Sequence, residues 1–165
     1  MTTPIYLESF GESPQLQWET VNDVVMGGIS KSTFRIEDQK GQFRGRVSLE
    51  NNGGFASVRA SVPDPLSEKA RGLRIRVSGD GQQYSFRIRL SGPYSRVAYR
   101  ADFSTVTRNW EEHWFPWNTF RPTYRGRNLS EVPLPHPAQL REVGFIIANR
   151  QAGPFTLAID YIRAE

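Results

Sequence analysis

Apolar and polar residues alternate along this chain with a period of two. Leu73, Ile75 and Val77 alternate with Arg74 and Arg76, and Tyr84, Phe86, Ile88 and Leu90 with Ser85, Arg87 and Arg89. Tyr99, Ala101 and Phe103 alternate with Arg100 and Asp102, and Phe43, Val47 and Leu49 with Arg44, Arg46 and Ser48. A strand sends successive side chains to opposite faces, so each run predicts a strand with one buried and one wet face. Helical spacing is nearly absent. Turn-forming clusters of glycine, proline, serine and asparagine separate the runs at 38–41, 51–54, 63–65, 78–81, 91–93 and 151–154. Many short strands at near-regular spacing predict an antiparallel sandwich or barrel. Gly79-Asp80-Gly81 reads as a tight hairpin between two arginine-bearing strands. The proline-rich stretch 121–137 reads as a long surface loop and 137–141 as one helical turn. The runs 143–148 and 155–162 read as the closing strands.

Length and composition narrow this picture. A chain of 165 residues fits one domain, 1–165, with one core. The aromatic share of 12% supplies what a disordered chain lacks, so the composition is globular. There is no cysteine, which excludes disulfides and thiolate metal sites. The N-terminus lacks a signal-peptide pattern, and no apolar run approaches the length of a membrane span. The expectation is a cytoplasmic protein, with peripheral contact to a membrane left open.

The net charge is +4, and all basic residues except Lys31, Lys40 and Lys69 are arginines. Arginine suits carboxylate, phosphate and aromatic faces. The balance hints at acidic partners or anionic lipid but is weaker than a nucleic-acid footprint. Arg74, Arg76, Arg87 and Arg89 should lie on one sheet face, because consecutive hairpin strands place alternate residues together, and Arg100 joins them if the next strand pairs alongside. Such a stripe is either neutralised by Asp102, Glu50 or Glu112, or is a docking face for an acidic protein or lipid headgroups.

Catalytic chemistry is hard to find. His113 and His136 have no metal-ligand spacing, and no nucleophile elbow is present. Asp23, Glu50 and Asp160 are scattered carboxylates that nothing singles out as an acid–base pair. Glu8 and Asp160, on the first and last strands, are the positions where a sandwich could hold calcium, but the acidic residues around them are too sparse to argue for it. No catalytic residue, metal or cofactor is expected.

Three segments carry more information. In WETVNDVVMGGIS (18–30), paired glycines permit unusual backbone, and Asn22 and Asp23 can hold a turn through their side chains. On chemistry alone a packed interstrand loop suits it better than a ligand loop. In NNGGFASVR (51–59), Asn-Gly between strand-like runs signals a tight turn whose amides could also meet a polar ligand. In WEEHWFPWNTF (110–120), Trp114 alternates with Phe115, which exposes one ring and buries the other. An exposed pair of Trp114 and Trp117 could stack a sugar or anchor a protein.

Together with WFPWNTFRPTYRG and VGFIIANRQAGPFTLAIDYI, these strings resemble the complex I intermediate-associated protein 30 family over nearly the whole chain. The resemblance implies a galactose-binding-like jelly-roll β-sandwich, related in shape to carbohydrate-binding modules. It also implies a non-catalytic role in assembling a membrane-bound respiratory (complex I/NDH-type) or photosynthetic complex, with that complex's protein subunits as partners. The positions that match its motifs are Asn22, Asp23, Met26, Gly27, Gly28, Ser30, Asn52, Gly53, Gly54, Phe55 and Arg59. A monomer at the surface of the inner or thylakoid membrane fits that role. The alternative is a carbohydrate-binding module that recognises glycans through exposed tryptophans.

Overall fold

The computed structural model describes residues 3–23 and 27–165. Among the described residues thirteen strands form two sheets packed face to face. The six-stranded sheet runs β3 (Lys31–Glu37), β4 (Lys40–Val47), β13 (Gly153–Ala164), β6 (Gly72–Ser78), β9 (Trp110–Pro116), and β1 (Ile5–Glu8) pairs the far end of β13. The seven-stranded sheet runs β11 (Arg127–Asn128), β10 (Arg121–Tyr124), β8 (Ala98–Ser104), β7 (Gln83–Leu90), β12 (Leu140–Ile147), β5 (Ala56–Ser61), β2 (Trp18–Asn22). Every named strand pair is antiparallel. This is the expected jelly-roll sandwich.

The period-two pattern places the core where expected. Leu73, Ile75 and Val77 of β6, Tyr84, Phe86, Ile88 and Leu90 of β7, and Tyr99, Ala101 and Phe103 of β8 are all buried. The two sheets meet through a phenylalanine cluster. Phe86 lies 5.2 Å from Phe145 and 5.5 Å from Phe115, and Phe103 reaches the same two rings. Offset and edge-on pairs at these spacings add to the area they bury. In β12, Gly144 through Ile147 are buried on both faces, because a core lies on one side and a side-chain-lined groove on the other.

Two expectations about connections are corrected. The Gly79-Asp80-Gly81 turn is not a hairpin. β6 pairs β13 and β9 in one sheet, while β7 pairs β8 and β12 in the other. The turn is a corner that carries the chain across the core. Asp80 pins it by accepting from the Gln82 amide, the Tyr84 hydroxyl (3.0 Å) and the Thr156 amide (2.9 Å). Gly79 is required there, since a Cβ would stand 2.4 Å from the Thr105 side chain. A hairpin and a sandwich corner both keep apolar residues inward, so alternation alone cannot separate them.

The stretch 121–137 is also more ordered than a surface loop. β10 pairs β8, with Pro122 opposite Tyr99, and turns through Arg125 and Gly126 at positive φ into β11. The rest lies over the sandwich end, where the Tyr99 hydroxyl donates to the Pro133 carbonyl at 2.9 Å. The helical turn expected at 137–141 is a short 3-10 turn, Pro137–Gln139.

Candidate functional site

The two glycine-rich segments meet at one carboxylate. Asp23 is fully buried at the end of β2. Its oxygens accept from the Ser30 amide (2.9 Å), the Ser30 hydroxyl (2.5 Å), the Gly54 amide (2.7 Å) and the Phe55 amide (3.4 Å). Its backbone carbonyl accepts from the Gly28 amide, and its amide donates to the Phe55 carbonyl. A Cβ on Gly28 would stand 2.4 Å from the Asp23 side chain, and one on Gly53 would stand 2.5 Å away. The glycines are therefore small because the carboxylate needs their space. Burial alone pushes the Asp23 carboxyl up, but the Ser30 hydroxyl and the Gly54, Ser30 and Phe55 amides hold it below its ordinary value.

Neighbouring motif residues extend this latch. Ser30 Oγ also accepts from the Ser48 amide, and Asn22 accepts from the Ser32 hydroxyl at 2.6 Å. Gly27 stands exposed at φ +88 with open space around it. Met26 and the Asn52 side chain lie outside the described residues. Arg59, half-buried on β5, pairs with Glu19 at 3.0 Å and approaches Glu142 at 3.9 Å.

Glu8 and Asp160 are each held by the chain itself. Glu8 is fully buried and accepts from the amides of Ser9, Phe10, Gln15 and Leu16 and from the Trp18 indole. Asp160 pairs with Arg76 at 2.7 Å and Lys40 at 3.4 Å.

The expected arginine stripe is split by the corner at Asp80. Arg74 and Arg76 lie on the outer face of the six-stranded sheet, while Arg87, Arg89 and Arg100 lie on the outer face of the seven-stranded one. On the first face the arginines of β6 have carboxylate partners. Glu165 takes Arg74 at 2.6 Å and Arg163 at 2.7 Å, and Asp160 takes Arg76. Its cations also lie over aromatic rings, Arg76 at 4.8 Å from Trp110 and Arg74 at 5.2 Å from Trp114. The Tyr161 phenol, desolvated and donating to Glu112, is pushed up to about 12.

On β9, Trp114 is exposed and Phe115 buried, as alternation implies. Trp117 does not join Trp114. It sits half-buried in the 3-10 turn Trp117–Thr119, and its indole donates to the Ala70 carbonyl at 2.8 Å. His113 points inward, 5.1 Å from the Phe103 ring, and burial pushes its imidazole down.

The second face is different. Register aligns one row across the sheet: Arg121 opposite Arg100, Arg100 opposite Arg87, Arg87 opposite Gly144, Gly144 opposite Arg59. Like charges directly opposed across strands are destabilising unless countered. The flanks are countered: Arg121 meets Asp102 at 2.7 Å, Arg89 lies 3.2 Å from Glu142, and Arg59 holds Glu19. The centre is not. Among the described residues no carboxylate comes within ion-pair distance of Arg87 or Arg100. Among the described residues Arg100 donates only to the Ser85 hydroxyl, at 3.0 Å. The Nε atoms of Arg89 and Arg100 are buried without a hydrogen-bond partner, the former because Glu142 sits close but off the N–H axis. Burial, then the neighbouring Arg89, Arg100 and Arg59 charges, push the Arg87 guanidinium down to about 10 against the pull of Glu142.

These central arginines line a groove of about 840 Å³. Ile146, Ala98 and Ala148 contribute an apolar floor, and Tyr124, Arg96, Arg125 and Arg141 a rim. Among the described residues no acidic side chain lines it. The sequence reading missed the rim residues. They sit in turns and at strand ends, where no periodicity marks which way a side chain faces.

Comparison with known proteins places this geometry in a lineage. The sequence model of complex I intermediate-associated protein 30 matches residues 9–159. The chain belongs to that family. An uncharacterised protein of Schizosaccharomyces pombe is 25% identical over 168 residues, covering 89% of this chain and 77% of the relative. Among solved structures, the family 11 carbohydrate-binding module of the cellulosomal cellulase Lic26A-Cel5E of Clostridium thermocellum superposes with a TM-score of 0.72. It is 13% identical, with 99% of this chain and 95% of that one covered. A family 29 carbohydrate-binding module, in a single-residue variant, gives a TM-score of 0.60 at 8% identity, with 99% and 92% covered. At such identities the likeness shows the fold, a galactose-binding-like jelly roll, and nothing finer.

Proposed function

We propose that this member of the family is a non-catalytic assembly factor. It holds protein subunits of a membrane-bound respiratory complex of the complex I/NDH type, or of a photosynthetic complex, while that complex is built. Family membership supports the assembly role, and the uncountered arginines at the centre of the groove carry the binding role. An assembly factor must hold a client and later release it. Charge contacts in an open groove suit that task, because they steer association and are screened by salt. Among the described residues no helix is long and apolar enough to cross a membrane. The proposal has the protein meeting its client from the cytoplasmic side of the inner or thylakoid membrane, as a monomer. The motif residues around Asp23 serve it by fixing the loops at the end of the sandwich.

Gentle solubilisation of native membranes followed by affinity purification tests this reading. Subunits of one energy-transducing complex should co-purify at low salt and be lost at high salt. Recovery of the free monomer alone would overturn it.

A carbohydrate-binding role is the second reading, favoured by the likeness to carbohydrate-binding modules and by exposed Trp110 and Trp114. It requires glycan binding that disappears in Trp114→Ala. Trp117→Ala is the poorer probe, since that ring is tied to Ala70.

A further inference from the structure

We propose that the centre of the groove, at Arg87 and Arg100, is a carboxylate-binding site for an extended acidic segment of another polypeptide. This rests on the client-binding reading above and names the ligand chemistry of the same surface.

Three observations converge on it. The first is the imbalance within a single row. Arg121 and Arg59 at its ends have carboxylate partners at 2.7 and 3.0 Å, whereas Arg87 and Arg100 between them have none among the described residues. The second is desolvation. Arg87 is half-buried and its neighbours are cations, and Arg100 has a buried Nε with nothing to donate to. A buried donor without an acceptor is costly, so such a group is expected to be completed by something that binds. The third is space. Arg87 and Arg100 open onto the groove of about 840 Å³, whose floor of Ile146, Ala98 and Ala148 carries no bulky side chain above the sheet.

The surroundings select the occupant. Arg87 and Arg100 stand directly opposite each other on β7 and β8, so an extended segment crossing them can bring one of its alternating side chains between the two guanidinium groups. An acidic peptide with apolar residues in between would set carboxylates on the arginines and apolar groups on Ile146 and Ala98. Both are buried and form part of the groove floor. A planar lipid surface would reach the exposed rim arginines rather than half-buried groups on the sheet. A neutral glycan would leave the guanidinium charges unmatched. Bidentate pairing is the geometry arginine offers a carboxylate.

The experiment measures binding of the intact protein to a short fluorescent peptide alternating Glu and Ala, at low salt. A Gln–Ala peptide, heparin and phosphatidylserine vesicles are the comparison ligands. The wild type should bind the Glu–Ala peptide and ignore the Gln–Ala one. Arg87→Met combined with Arg100→Met should weaken binding by at least about tenfold, while Arg76→Met on the opposite face should leave it unchanged. The double variant should melt no lower than the wild type, because it removes like charges and keeps volume, so the lost binding cannot be ascribed to misfolding. Binding that is unchanged in the double variant, equal for the Gln–Ala peptide, or confined to heparin or vesicles would overturn the inference. If the peptide binds through Arg87 but native membranes yield no partner, the assembly reading fails while the site stands.

Discussion

Asp23 shows what one buried charge does when the chain is arranged around it. Four N–H and O–H donors converge on its oxygens from two distant segments, so removing the carboxylate strands donors as well as deleting bonds. Asp23→Ala should lower stability by roughly 3 kcal/mol in urea titrations, and Gly28→Ala should also be destabilising through its clash with the same group. The pH dependence has a definite sign. The folded-state acidity constant lies below the ordinary 3.8, so the contribution of Asp23 is complete above that value and is lost as pH falls through the folded one. The wild type should lose stability below about pH 4, and Asp23→Asn should show a flatter acid limb there. Glu8 accepts from five N–H donors, and Glu8→Gln exchanges an acceptor oxygen for a donor and should cost roughly 2 kcal/mol. The turn-holding capacity of Asn22 and Asp23 was legible in the sequence. That Asp23 reaches Gly54, 31 positions on, was not, because side-chain chemistry does not say which distant amide will be opposite.

At the scale of elements, the strands were readable and their partners were not. Alternation marked β6, β7 and β8 residue by residue, since one face of each meets the core. It could not place the corner at Gly79-Asp80-Gly81, where the chain leaves one sheet for the other without changing which residues point inward. The arginine stripe was misassembled for that reason. The small strands β10 and β11 were hidden by Pro122, Arg125 and Gly126, a composition that reads as loop. The corner itself is testable. Asp80→Ala frees the Thr156 amide, the Tyr84 hydroxyl and Gln82 together, and should destabilise the fold by about 2 kcal/mol without changing its strand content by circular dichroism.

The whole molecule presents two unlike faces. On the six-stranded sheet, Glu165, Asp160 and Glu112 counter Arg74 and Arg76 of β6, and aromatic rings lie against them. On the seven-stranded sheet the central Arg87 and Arg100 have no carboxylate partner among the described residues. A surface tuned for stability alone would not keep Arg87 so, and binding residues are commonly held at such a cost. Arg87→Met alone should therefore raise the melting temperature, by about 3 °C. The measurement that bears most directly on the central claim is a paired affinity purification from the protein's own membranes at low salt, wild type beside Arg87→Met. Membrane-complex subunits retained by the wild type and absent with the equally well-folded variant are the expected result. The same subunits retained by both proteins would contradict the account.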